Sequence, residues 1–262
     1  MKKLWLFAVC GSIGLSFLSL VLLSFFSYFP YPLLFPEKFS GQFWENTMFH
    51  NSLFYEAVIN SFVLGICNGL ASTMVGIMGG RALERYEFRG KVAVSWLVSM
   101  PLFIPTIVLF IGVHSMMIKF SLINTYLGVV VSHMIISIPY TTSIFRAFFR
   151  GIQPDMENVA RTLGCKDVML YRKILVPLLM PGIFLSFGIS FLISFSEYFS
   201  TFLVGGGSVI TLSMIMYPYV NNGDVGNGSV LGIVFLGITM GIFYLMDVVV
   251  TKKLKVESYL YG

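Results

Sequence analysis

Side chains able to do chemistry are sparse in this 262-residue chain, and most of them fall in one interval. That interval is RAFFRGIQPDMENVARTLGCKDVMLYRKILVPLLMP, from Arg146 to Pro181. It mixes the carboxylates of Asp155, Glu157 and Asp167 with the cations of Arg161, Lys166, Arg172 and Lys173. Mixed-sign charge without clustered His, Cys or carboxylate ligands suits recognition of another protein surface and not bond making. The chain has no G-x-x-x-x-G-K-[ST] loop for nucleotide phosphates, no H-E-x-x-H pair and no C-x-x-C. Cys10, Cys67 and Cys165 share no metal or disulfide spacing. No catalytic group, metal site or cofactor is therefore expected in this chain. The other ionisable residue that stands out is Glu197, in the apolar context ISFSEYFSTF.

The elements that position these groups can be read from the same letters. The polar interval predicts two short helical runs joined at Gly164. Asp155 is placed to cap the first, with Glu157 in its opening turn, where negative charge complements the helix dipole. Lys166 and Asp167 open the second run, which is expected to end at Pro177. An exposed helix–Gly–helix of this kind is shaped to fit a groove on a partner.

The interval resembles the cytoplasmic "EAA" loop of permease subunits of binding-protein-dependent ABC importers, whose pattern is EAA-x3-G-x9-I-x-LP. Here it falls on Asn158, Val159 and Ala160, then Gly164, Ile174, Val176 and Pro177, with Asn158 for Glu, Val159 for Ala and Val176 for Leu. The lead-in NTYLGVVVSHMIISIPYTTSIFRAFFRGIQPDMENVARTLG also looks like that family, including Pro139 and the Gln153-Pro154 turn. Glu157 or Asn158 takes the place of the motif's glutamate, and the sequence leaves that choice open. The resemblance implies a MetI-like fold and docking of residues 155–175 on a separate ABC ATPase dimer. ATP and Mg would be bound by that partner, so the chain itself would not be an enzyme. Arg161, Lys166, Asp167, Arg172 and Lys173 are then candidates for ion pairs at the junction, or simply solvated charges.

Composition sets the surroundings. Hydrophobic residues make up 56% of the chain and charged residues 11%, against about a quarter charged in soluble domains. The expected class is an all-α integral membrane protein, residues 1–262 forming one transmembrane permease domain. Apolar runs place six transmembrane helices at about 4–29, 57–80, 92–118, 122–145, 182–203 and 230–250, around the helix–Gly–helix coupling loop 146–181. The first run follows Lys2-Lys3 and reads as an uncleaved span. Pro101 and Pro105 interrupt the third. Residues 209–220, beyond Gly205-Gly206-Gly207, read as a short surface or re-entrant helix and not a seventh span. Gly65, Gly69, Gly76, Gly79 and Gly80 form a small-residue stripe on the second span, suited to close helix packing.

Six spans with both termini in the cytoplasm put fifteen of the 17 basic residues on the inner side, leaving Lys38 and Lys119 outside. The net charge of +5 thus orients the chain in a bacterial cell membrane, and no nucleic-acid partner is needed to account for it.

Glu197 lies toward the outer half of the fifth span. A carboxylate there is costly unless it faces water, a partner or the bundle interior. Two readings stay open: Glu197 and Tyr198 line a translocation path that favours a cation, or Glu197 makes a structural hydrogen bond at a helix end. His133 is expected to make an interhelical hydrogen bond. Asp224 reads as a loop residue. The acidic-aromatic stretch at Glu197 resembles the spermidine/putrescine branch of the permease family, which implies polyamine transport, a second and unlike permease, and an extracellular or periplasmic solute-binding protein. The alternative is a stand-alone ion- or proton-coupled secondary transporter or channel, which would show several midplane ionisable residues.

Overall fold

The computed structural model describes residues 2–26 and 39–261, with side chains described for 9–26, 39–153 and 155–249. The prolines and charges of 30–38 and the lysines at both ends, on which the charge count partly relies, lie outside the described side chains. Helices account for the described fold: α1 (Lys2–Ser24), α2 (Gln42–Glu45), α3 (Phe54–Arg85), α4 (Lys91–Ser99), α5 (Thr106–Lys119), α6 (Tyr126–Gly151), α7 (Pro154–Thr162), α8 (Asp167–Leu170), α9 (Val176–Ser196), α10 (Phe199–Gly205), α11 (Leu212–Asn221) and α12 (Val225–Tyr261).

Among the described residues, Phe54–Arg85, Tyr126–Gly151, Asp167–Ser196 and Val225–Val249 are long and apolar enough to cross a bilayer. Lys91–Leu102 with Thr106–Lys119 would make a fifth span, bent by 110°. The expected interruption at Pro101 and Pro105 is therefore a sharp corner. Neither proline can donate a backbone hydrogen bond, and Pro105 sits at ψ 128° immediately before α5, so no continuous helix can pass. The first expected span is described in part: α1 ends at Ser24, and 27–29 lie outside the described residues.

Two boundaries differ from the sequence expectation for a physical reason. The helical run opening at Asp167 does not stop at Pro177. It widens into a π-helical turn, Tyr171–Leu175, and continues as α9 to Ser196. The wider turn, together with Pro177 falling in the opening turn of α9, accommodates the missing N–H without ending the helix. The helical run that carries the fifth span thus begins at Asp167, ahead of the expected Gly182. It ends at Ser196 instead of Leu203, because Glu197 turns to an extended ψ of 111° before α10 restarts.

The chain packs as two compact units. In Met1–Asn60 with Ile210–Gly241, the Trp44 indole N–H donates to Ser24 Oγ at 3.3 Å and Thr47 Oγ1 donates to Asn227 Oδ1 at 3.2 Å. Asp224, just ahead of α12, accepts from the Asn227 backbone N–H and side-chain amide. That makes it a cap for an otherwise open helix start. The expected 209–220 helix is present as α11.

In Ser61–Val209 with Ile242–Gly262, α3, α6 and α9 pack closely. A side chain at Gly76 would sit 2.5 Å from Thr141, and one at Gly65 2.5 Å from the Phe191 ring. The glycine stripe read from the sequence is thus where other helices lie against α3. Phe145, Phe149, Ala160, Leu170, Leu175 and Leu179 form a core beneath α7 and α8. A second core joins Leu64, Phe110, Val113, Met117, Val129, Val204 and Val209.

Candidate functional site

Helix α7 starts with Pro154 at its first position, where a missing N–H costs nothing. Asp155 does not cap it. The preceding residue is Gln153, which makes no side-chain capping bond, and Asp155 is exposed in the first turn. The helix ends in a Schellman closure. Gly164 stands at φ +81°, its N–H bonds to the Arg161 carbonyl at 2.9 Å, and the Cys165 N–H reaches the Ala160 carbonyl at 3.0 Å. The left-handed conformation explains why glycine stands at the joint. Ala160 is buried against the core, so α7 is fixed from below by packing.

Glu157 is fixed by charge. It is buried, and its Oε2 accepts from Arg81 Nη2 at 2.8 Å while Arg85 Nε lies 3.6 Å from Oε1. Arg85 Nη2 also donates to the Ile152 carbonyl at 2.6 Å, in the connection leading to α7. The Arg81 guanidinium lies over the Tyr171 ring at 4.7 Å, which links α3 to the second run. Arg81, Arg85 and Glu157 border an open pocket of about 270 Å³ shared with Tyr86, Asn158 and Arg161. A second ion group stands one turn away: Arg150 holds Glu84 with two nitrogens, at 2.9 and 3.3 Å, and Arg146 lies 3.6 Å from it.

The structure therefore separates the neighbours that the sequence left open. The Glu157 carboxylate faces its own chain, and the exposed position is the Asn158 amide. Arg161 pairs with Asp167 across Gly164 at 3.0 Å. Both are more than half exposed, so that bridge contributes under about 1 kcal/mol. Lys166 is exposed. Pro177 lies in the opening turn of α9. Two apolar side chains flank the glycine joint and point outward: Leu163 is 82% exposed and Val168 78%.

A second polar region lies inside the same unit. The Asn68 amide nitrogen donates to Ser137 Oγ at 2.9 Å and to the Ser190 carbonyl at 2.7 Å, and its oxygen accepts from Ser72 at 3.1 Å. One residue thereby ties α3, α6 and α9. His133 is fully buried, with Nδ1 2.8 Å from Ser194 Oγ and Nε2 3.0 Å from Thr201 Oγ1. The Thr201 hydroxyl donates its only proton to the Glu197 carbonyl at 3.0 Å. It therefore accepts from His133 Nε2–H, and in the neutral imidazole Nδ1 then accepts from Ser194. His133 thus clamps the two sides of the break at Glu197. The Glu197 carboxylate accepts from the Ser200 N–H at 3.1 Å, so it also caps α10. Tyr198 stacks on Phe202 at 5.8 Å.

The interhelical hydrogen bond expected of His133 is present, to Ser194 and Thr201. Sequence reading missed Arg81 and Arg85 as anchors of α7, and it missed the Asn68 network. A signal was present. Arg81 and Arg85 are four apart on one helix, as are His133, Ser137 and Thr141, and that spacing places side chains on one face.

Several apolar helices of spanning length, close-packed over glycines, define a multi-pass helical membrane protein. Residues 72–255 match the family described as "Binding-protein-dependent transport system inner membrane component", and the chain belongs to that family. It is 25% identical over 210 residues to the spermidine/putrescine transport system permease protein PotC of Haemophilus influenzae, covering 80% of this chain and 82% of that one. It is also 25% identical over 251 residues to the molybdate/tungstate transport system permease protein WtpB of Pyrococcus abyssi, covering 95% and 96%. Its fold matches a chain in the crystal structure of a bacterial ABC transporter that imports the acidic polysaccharide alginate. The TM-score there is 0.70 at 15% identity, over 96% of this chain and 92% of that one. The chain is an ABC importer permease subunit with a MetI-like fold.

Proposed function

We propose that the 154–175 helix–Gly–helix is the surface on which a separate ABC ATPase docks, and that Arg81, Arg85 and Glu157 pass its movement to α3. The observation that carries this is the pairing of a rigid base with an unsatisfied tip. Glu157 and Ala160 fix α7 to the membrane helices, while Leu163 and Val168 project into solvent with no apolar neighbour to cover them. Asp155, Asn158, Arg161, Lys166 and Asp167 form the charged rim of that tip. A soluble loop gains nothing from two exposed aliphatic side chains at its apex, whereas a groove on a partner does. In this reading the chain spans the membrane six times, with α1 first, both termini on the ATPase side, and α11 a surface helix. It works with an ATPase pair that binds ATP and Mg, a second and unlike permease, and a solute-binding protein outside.

The test is co-purification of the tagged chain. The unaltered chain is expected to bring down an ATPase in stoichiometric amount. Leu163→Asp is expected to reduce that recovery by at least tenfold, since a buried leucine contributes about 2 kcal/mol and a buried unpaired charge costs more. The melting temperature of the chain itself should not move, because the residue is exposed. Full ATPase recovery with Leu163→Asp would overturn the docking assignment.

For the solute we propose a small cation of the polyamine kind, with Glu197 and Tyr198 on its path. The named relatives differ in charge, one carrying polyamines and the other an oxyanion, so Glu197 discriminates. Glu197→Gln keeps an acceptor for the Ser200 N–H and removes only the charge. It is expected to leave the amount of folded chain unchanged and to lower putrescine uptake on the order of tenfold, the weight of one charged hydrogen bond. Unchanged uptake would restrict Glu197 to capping α10, and a rise in molybdate uptake would reverse the charge assignment.

A further inference from the structure

We propose that the cleft between the start of α4 and the end of α6 binds the phosphate headgroup of an anionic phospholipid. The cleft has a volume of about 190 Å³ and is lined by Leu83, Lys91, Val92, Ser95, Trp96 and Arg146. Arg146 also borders an adjoining hollow of about 230 Å³ that reaches Arg150. Two cations thus converge on a small cleft whose remaining walls are mostly apolar. Arg146 is held in place by Nη1 donating to Ser95 Oγ at 3.0 Å. Its Nε makes no hydrogen bond, the nearest acid being Glu84 at 3.6 Å. Among the described residues Lys91 pairs with Glu87, whose side chain is 90% exposed, and such a partner is readily exchanged for a phosphate.

The apolar side of the cleft argues for a lipid over a free phosphate. No residue of α4 is buried within the chain. Val92, Trp96 and Leu97 expose about two thirds or more of their surface next to the cationic groups. Helix α4 also follows directly on the polar segment Arg81–Lys91, where the chain leaves the end of a spanning helix. A tryptophan at such a boundary, with basic groups behind it, matches the layering of a membrane interface. Basic pockets between membrane helices take anionic headgroups by the same charge pairing. The acyl chains would continue along Val92, Trp96 and Leu97.

Native mass spectrometry of the full chain, with whatever subunits accompany it, tests this in detergent supplemented with phosphatidylglycerol or phosphatidylcholine. Phosphatidylglycerol is expected to remain bound through delipidation and phosphatidylcholine to be lost. Lys91→Gln, which removes a charge paired with an exposed glutamate and should fold normally, is expected to weaken phosphatidylglycerol retention about fivefold. Arg146→Gln is expected to weaken it at least as much, with its melting temperature recorded because Arg146 also meets Glu84 and Ser95. Equal retention of both lipids, or Lys91→Gln indistinguishable from the unaltered chain, overturns the proposal. Displacement of the lipid by millimolar glycerol 3-phosphate would reassign the cleft to a soluble phosphate ester.

Discussion

Glu157→Ala is expected to cost about 3–5 kcal/mol of stability, because it leaves Arg81 and Arg85 buried without their carboxylate. The side chains of all three residues are only 11% exposed, so water cannot replace the lost partner. The amide in Glu157→Gln still offers an acceptor to Arg81 but no charge, and it should fall between the two. The damage is expected to be local in geometry. Helix α7 keeps Ala160 against Phe145 and Phe149 but loses its tie to α3, so cleavage by added protease within 152–167 should accelerate. ATP-driven uptake should fall with it, even where the ATPase still co-purifies, because docking and transmission are different contacts. Thermal unfolding in detergent and limited proteolysis measure both parts. A Glu157→Gln chain with unaltered melting, proteolysis and uptake would show that the ion pair transmits nothing. A double replacement of Arg81 and Glu157 by apolar residues should recover part of the stability without the uptake, since it removes one of the two stranded charges, leaving Arg85, and not the need for the link.

Gly76→Val should be the most disruptive single change within the membrane. Its Cβ would lie 2.5 Å from both Cβ and Oγ1 of Thr141 and 2.9 Å from the Thr141 carbonyl carbon, where ordinary carbon contacts are about 3.5–4 Å. A side chain can swing aside, but a backbone carbon cannot, so α3 must move away from α6. Overpacking of this kind costs about 1–3 kcal/mol, and the upper end is expected here. Arg81 lies little more than one turn further along the same helix, so the displacement should also pull it from Glu157 and lower uptake. Gly79→Ala is the control. Its Cβ would meet Thr142 at 3.4 Å or more, an ordinary contact, and alanine gains about 1 kcal/mol of helix propensity over glycine. Melting curves should show Gly76→Val well below the unaltered chain and Gly79→Ala at or above it. Equal behaviour of the two variants would mean that α3 and α6 are not in contact in the membrane.

Much of this was legible in the letters. Apolar runs of about 20 residues announce membrane helices because no other backbone arrangement satisfies its hydrogen bonds in hydrocarbon, closed barrels aside. The glycine spacing on α3 announced close packing, and Gly164 announced the joint, since a left-handed residue ending a helix is most readily glycine. What failed did so where a residue type allows more than one local outcome. Pro177 looked like an end because proline ends isolated helices, yet here a π turn carries the chain through it. Asp155 looked like a cap because its type is right, yet the helix starts at the proline ahead of it.

By itself, then, the sequence determined the class of protein, the presence of several apolar helices of spanning length, the glycine joint and the family, because these rest on local composition and fixed spacing. Tertiary structure alone decided which way each polar side chain points. Glu157 and Asn158 are adjacent letters of similar size, but a helix turns about 100° per residue. That rotation sends one against Arg81 and the other into solvent. The same holds for His133, whose partners Ser194 and Thr201 are more than sixty residues away in the chain and are brought to it only by the packing of α6 against α9 and α10.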